Sequence, residues 1–227
     1  MDKSSDAAIA ARTWWHRGKE SSLVEVVADA VVHGIGIVTA VAIGTLIIVF
    51  AAMRTAPELP ALVIYLGTLV AVFAISMAYN IAPISPAKRV LARFDQAAIF
   101  LFIAGTYTPF LAAVGPTPVA YLLLAVVWGA SLVGIGLKLI VPHKFGRLAI
   151  LLYLAIGWSG IAIFGQLAAS LPAATLWLAV AGGITYSAGI IFHLWERLKF
   201  NSALWHTFVV AGATLHLVAL LVMMLHR

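Results

Sequence analysis

Residues 24–52 read VEVVADAVVHGIGIVTAVAIGTLIIVFAA, and this stretch decides the fold. Between Asp29 and Arg54 it holds no Asp, Glu, Lys or Arg. A membrane-spanning helix needs about 20 mostly apolar residues. Only helices and closed barrels satisfy every backbone polar group in lipid. The apolar run is continuous rather than alternating, which selects a helix.

The same pattern recurs at 61–82, 95–113, 118–141, 148–168, 173–195 and 203–225, so seven spans are predicted. The third and fourth are separated only by Val-Gly-Pro-Thr-Pro at 114–118, the fifth and sixth by Ser170, Leu171 and Pro172. Both breaks carry turn residues. Of the 227 residues, 63% are hydrophobic and 10% charged, with a mean hydropathy of +1.08. A soluble domain carries about 25% charge, so a soluble enzyme, a disordered chain and a nucleic-acid-binding domain are all excluded as the class. There is no cysteine, which removes disulfides, thiolate metal sites and a catalytic thiol. The expected organisation is an all-α, seven-helix integral membrane domain over 22–227, preceded by a tail at 1–21.

The net charge of +6 is explained by topology. Twelve basic residues fall on the side of the N-terminus: Lys3, Arg12, Arg17 and Lys19 in the tail, and the others in the 2–3, 4–5 and 6–7 connections. Only Arg54 and Arg227 fall on the other side. Basic residues collect on the cytoplasmic side, so the N-terminus is expected in the cytoplasm and the C-terminus outside, in a multi-pass protein of the cell membrane. Trp14 and Trp15 beside Arg12 and Arg17 read as an interfacial anchor, as does Trp195 beside Glu196 and Arg197. The N-terminal segment has no short apolar region ending in a small-residue cleavage site and so does not read as a signal peptide.

Ionisable residues within spans are costly and mark functional sites by default. Glu25, Asp29 and His33 recur every four residues, on one face of the first helix. The second span ends in Ser76, Tyr79 and Asn80, the third opens with Asp95 and Gln96, the sixth ends at His193, and the seventh opens with Ser202 and His206. Alternating topology places all of these at one depth, so a polar pocket on the cytoplasmic side is predicted. Each also has a plainer reading. Asp95 could complement the dipole in a first helical turn, Glu25 and Asp29 could be interfacial helix-start acids, His193 a headgroup-level residue, and Ser76 and Ser202 small packing residues. His216 lies about 15 Å further along its helix than His206 and is expected to hydrogen-bond between helices.

Five segments together resemble the hemolysin III family: EVVADAVVHGIG at 25–36, SMAYN at 76–80, FDQAAIFLFIAGTYTPF at 94–110, YLAIGW at 153–158 and LWHTFVVAGATLH at 204–216. That family is the bacterial branch of the progestin and adipoQ receptor superfamily, which includes the adiponectin receptors. The resemblance implies seven helices with a cytoplasmic N-terminus. It also implies a zinc ion held by three His, one closing a serine-x-x-x-histidine motif on helix 2 and two forming a histidine-x-x-x-histidine pair on helix 7. An Asp on helix 3 would act on the metal-bound water, in a ceramidase-like lipid-amide hydrolysis.

Carried onto this chain, Ser76 and Asp95 are the candidate catalytic residues. The ligand positions are Asn80, Ser202 and His206, of which only His206 is still His; Gln96 stands where many bacterial members have His. Asn and neutral Ser are poor zinc ligands. A rebuilt site would use His206, Asp95 and one of His33, Glu25 or Asp29. The reading is therefore a membrane protein whose partners are lipids, with a lipid substrate and a degenerate zinc site. The alternatives are a non-enzymatic sensor of membrane state, a proton or ion relay through Glu25, Asp29, His33 and Asp95, a cytolytic protein, or a pocket that only ties helix ends together.

Overall fold

The computed structural model describes residues 22–142 and 146–226, without the side chain of Arg147. The expected tail anchor at Trp14 and Trp15, with Arg12 and Arg17, lies outside the described residues. Seven helical passes are long and apolar enough to cross a membrane, and no strand occurs among the described residues. This is a multi-pass integral membrane protein.

Local sequence sets the helix starts. Helix α1 (Leu23–Met53) opens with a capping box, in which Ser22 accepts from the Glu25 N–H while the Glu25 carboxylate accepts from the Ser22 N–H. Helix α2 (Leu59–Ile81), α3 (Pro86–Val114) and α4 (Pro118–Ile140) each carry proline in the first turn, where its missing N–H costs nothing. Ser85 and Thr117 cap α3 and α4.

The fifth pass is broken. It consists of α5 (Gly146–Gly157), a 3₁₀ segment (Ser159–Ile163) and α6 (Phe164–Ser170), where the sequence predicts one helix over 148–168. The cause is a tertiary contact. The Tyr107 hydroxyl of α3 donates to the Gly157 carbonyl at 2.7 Å and accepts the Gly160 N–H at 2.7 Å, taking over backbone groups that a continuous helix would pair internally. Helices α7 (Ala173–Leu194) and α8 (Asn201–Leu225) complete the chain.

Helix α3 begins nine residues before the expected 95, because Ser85 and Pro86 start it within the basic stretch. Asp95 therefore lies inside α3 rather than in its first turn, and the dipole-complement reading fails. Lys138 likewise belongs to α4, not to a connection, and is 2% exposed.

Helix α8 packs on α7 and α1, α1 on α2, α2 on α3, and α3 on α4. Small residues permit close approach: a β-carbon on Gly105 would strike the Thr68 side chain, and one on Gly134 the Phe100 ring. Tyr65, Leu69, Phe102, Leu217 and Leu220 form the larger core. The fifth pass meets α3, α4 and α7 only sparsely. The space this leaves is a partly open cavity of about 670 Å³, with exposed Ile161 and Leu194 among its lining residues.

Candidate functional site

Two helix starts and one helix end build the site. Glu25 receives the Phe200 N–H at 3.0 Å and so ties the beginning of α8 to the beginning of α1. Phe200 adopts a left-handed backbone, with φ of 59°, a conformation a bulky residue holds only under surrounding constraint. The Glu25 carboxylate thus accepts backbone N–H groups from two chain segments.

One turn further in, Asp29 and His33 of α1 face His206 of α8. His206 Nδ1 lies 2.6 Å from Asp29 Oδ1. His33 Nδ1 lies 2.8 Å from the Asp29 carbonyl and 3.3 Å from Asp29 Oδ2. The two imidazoles stand 4.2 Å apart between centroids. Asp29 is 2% exposed, His33 0% and His206 6%.

From α2, Ser76 places its hydroxyl 3.3 Å from His206 Nε2. Asn80 donates from Nδ2 to the Ser76 carbonyl at 2.9 Å and lies 3.4 Å from the Ser76 hydroxyl. The Ser202 hydroxyl donates to Asn80 Oδ1 at 3.4 Å. A continuous polar chain therefore runs from Ser202 through Asn80, Ser76 and His206 to Asp29 and His33, joining α8, α2 and α1. Six of the residues expected to converge are thus linked by contacts in the fold.

Other expected members lie apart from it. Asp95 lines the same cavity as His33, Ser76 and His206, but stands outside the tight acid–imidazole group. Gln96 accepts from the Lys138 ammonium at 2.8 Å, and its carbonyl accepts from the Tyr153 hydroxyl at 2.7 Å; it fastens α3 to α4 and α5. His193 packs its ring on Trp205 at 5.0 Å. His216 does not bond between helices: its Nδ1 lies 2.8 Å from the Gly212 carbonyl of its own helix. Its ring instead stacks on Tyr186 of α7 at 5.4 Å.

Whether the residues suit a metal can be tested on donor atoms. Asn80 and Ser202 are engaged with each other and bring no anionic or imidazole donor, so two of the three ligand positions carried over from the resemblance do not fit zinc; His206 does. Asp29, His33 and His206 do fit a metal ion: each offers a ligand atom, and these lie within 4.8 Å of one another. Asp29 Oδ2 and His33 Nε2 are buried with no hydrogen-bond partner, and a buried unsatisfied group requires an explanation. His–His–carboxylate is a donor set that divalent zinc accepts. Sequence reasoning placed these three on the right helix faces, but it paired His206 with Asp95. Tyr107 and Tyr153 fall within segments that carry the family resemblance, but no sequence signal gives their contacts or marks Lys138, because their partners come from distant segments.

The fold and the site together define a seven-span integral membrane protein with a buried acid–imidazole group beside a partly open cavity. The chain belongs to the haemolysin-III related family, whose profile matches residues 23–217. It is similar to hemolysin-3 of Bacillus cereus, with 34% identity over 192 residues, covering 84% of this chain and 88% of that protein. It is equally similar to the hemolysin-3 homolog of Bacillus subtilis (strain 168), with 34% identity over 193 residues, 85% of this chain and 91% of the relative. No solved structure matches the chain.

Proposed function

We propose that this protein is a lipid-directed hydrolase that cleaves an acyl amide or ester from within the membrane, at a site on the cytoplasmic side. One observation carries the reading. His33, Ser76, Asp95 and His206 line the same cavity as the apolar Phe102, Phe110 and Leu176. Its volume of about 670 Å³ lies within the range of roughly 300–1,000 Å³ typical of small-molecule sites. An acyl chain buried among the aromatic and aliphatic side chains brings its carboxyl carbon to the polar end. The excess of basic residues on the N-terminal side supports the cytoplasmic placement.

Asp29, His33 and His206 are the residues that hold zinc in this reading. Zinc there would supply a Lewis acid and would lower the pKa of a bound water towards about 7. The chain's own residues position the substrate: Phe102 and Phe110 exclude water from the acyl chain, and Asp95, at the polar end, accepts a proton from the attacking water and passes it to the leaving amine or alkoxide.

The test is release of free fatty acid from long-chain acyl amides and esters by detergent-purified protein, with metal content measured in parallel. Fatty-acid release that is lost in His206→Ala is the expected result. No release from either substrate class overturns the hydrolase. Sub-stoichiometric zinc after purification in zinc-supplemented buffer, with melting unchanged by a chelator, removes zinc from the reading.

A further inference from the structure

We propose that Ser76 is a nucleophile activated by His206 and Asp29, so that the site forms a covalent acyl-serine intermediate without needing a metal. The proposal rests on the reading of the cavity as a lipid-acyl site and replaces water with Ser76 as the atom that first attacks the acyl carbon.

The order of atoms carries the inference. Asp29 Oδ1 lies 2.6 Å from His206 Nδ1, and His206 Nε2 lies 3.3 Å from Ser76 Oγ. A carboxylate on Nδ1 fixes the tautomer with the proton on that nitrogen, which leaves Nε2 as an acceptor facing the serine hydroxyl. This is the carboxylate–imidazole–hydroxyl sequence that activates serine in unrelated folds, where it is recognised by geometry rather than by position in the chain. The serine–imidazole distance is slightly long, as is common before substrate is bound. Asp29 is flanked in turn by His33, whose Nδ1 lies 2.8 Å from the Asp29 carbonyl and 3.3 Å from Oδ2.

The three residues also face the right way. Ser76 and His206 line the large cavity, whereas Asp29 lines a small separate recess with Asn80 and Ser202. The nucleophile and the base thus meet substrate while the orienting acid stays behind them. Asn80 adds a further element: its amide Nδ2 lies 3.4 Å from Ser76 Oγ. Its amide also donates to the Ser76 carbonyl at 2.9 Å, and it lines the recess behind the serine with Asp29, so it positions Ser76 rather than meeting substrate.

The step balances within these residues. Ser76 Oγ forms a bond to the acyl carbon as its proton passes to His206 Nε2. The carbon–nitrogen or carbon–oxygen bond to the leaving group then breaks, and His206 returns the proton to the departing amine or alkoxide. Water, deprotonated by His206, hydrolyses the acyl-serine and restores the hydroxyl. A metal held by Asp29, His33 and His206 would draw on two of the same side chains, so the acyl-serine route belongs to the metal-free site.

A long-chain alkyl fluorophosphonate tests this on full-length protein in detergent with a chelator present. The expected result is one phosphonyl adduct per chain, mapped to Ser76 by fragment masses, blocked by excess long-chain acyl amide, absent in Ser76→Ala and slowed at least about 100-fold in Asp29→Asn. Asp29→Asn is compared by melting temperature to confirm that it folds. An adduct on any residue other than Ser76 overturns the proposal. So does a probe that occupies the cavity, shown by displacement with a fluorescent fatty acid, yet leaves Ser76 unmodified; that outcome preserves the lipid site. A probe that neither enters nor reacts overturns the lipid-site reading as well.

Discussion

Asp29 and His206 are 177 residues apart in the chain and 2.6 Å apart in the fold. Their contact closes the first pass against the last. It brings the imidazole of α8 to the serine of α2 on one side and to the imidazole of α1 on the other. The candidate site is therefore a property of three helix termini held in register, and the same register depends on Glu25 receiving the Phe200 N–H.

If the metal set is Asp29, His33 and His206, the effect of each substitution on zinc affinity is specific. His33→Ala and His206→Ala should each weaken zinc binding by at least about tenfold, the scale on which even supporting groups act. Asn80→Ala and Ser202→Ala should leave the affinity within a factor of a few, because neither donates to the ion. Competition against a chromogenic chelator in detergent measures all four; strong loss in Asn80→Ala with none in His33→Ala would refute the assignment.

Close helix approach should fail where a glycine faces a fixed side chain. The Thr68 hydroxyl donates to the Tyr65 carbonyl at 2.9 Å, so it cannot easily yield to a β-carbon on Gly105. Gly105→Ala is expected to cost about 1–3 kcal/mol through overpacking. Gly129→Ala, which meets open space, should stay within about 0.5 kcal/mol. Melting temperatures of the two variants decide this.

The broken fifth pass should depend on one hydroxyl. Tyr107→Phe removes the acceptor of the Gly160 N–H and the donor to the Gly157 carbonyl, at an expected cost of about 1–3 kcal/mol. Hydrogen exchange in the segment around 157–163 should accelerate more than in α1 or α8. Uniform exchange across the chain would contradict the local role.

Gln96→Leu strips the carboxamide acceptor from a lysine that is 2% exposed. Loss of a hydrogen bond to a charged group costs about 1.5–3 kcal/mol, so the melting temperature should fall. The double variant Gln96→Leu with Lys138→Met should recover part of the loss, since the buried charge goes with its partner.

The placement of basic residues predicts the orientation. A reporter enzyme active only outside the cytoplasm, fused after His226, should be active, whereas one fused in the 2–3 connection near Ile84 should be silent. The reverse pattern would place the site on the opposite side of the membrane.

The sequence by itself determined the seven passes and the family, because lipid imposes a length and an apolarity that can be counted residue by residue. It also determined which helix faces carry polar groups, since Glu25, Asp29 and His33 must align at a spacing of four. What it could not determine was which of these groups touch. The pairing of His206 with Asp29 instead of Asp95, the engagement of Asn80 with Ser202, and the burial of Lys138 against Gln96 all depend on how far each helix is rotated and how deeply it is set. Those quantities follow from side-chain packing between passes, and the interruption of the fifth pass by Tyr107 has the same origin. A hydropathy pattern reports each helix against lipid; only the assembled bundle reports the helices against one another.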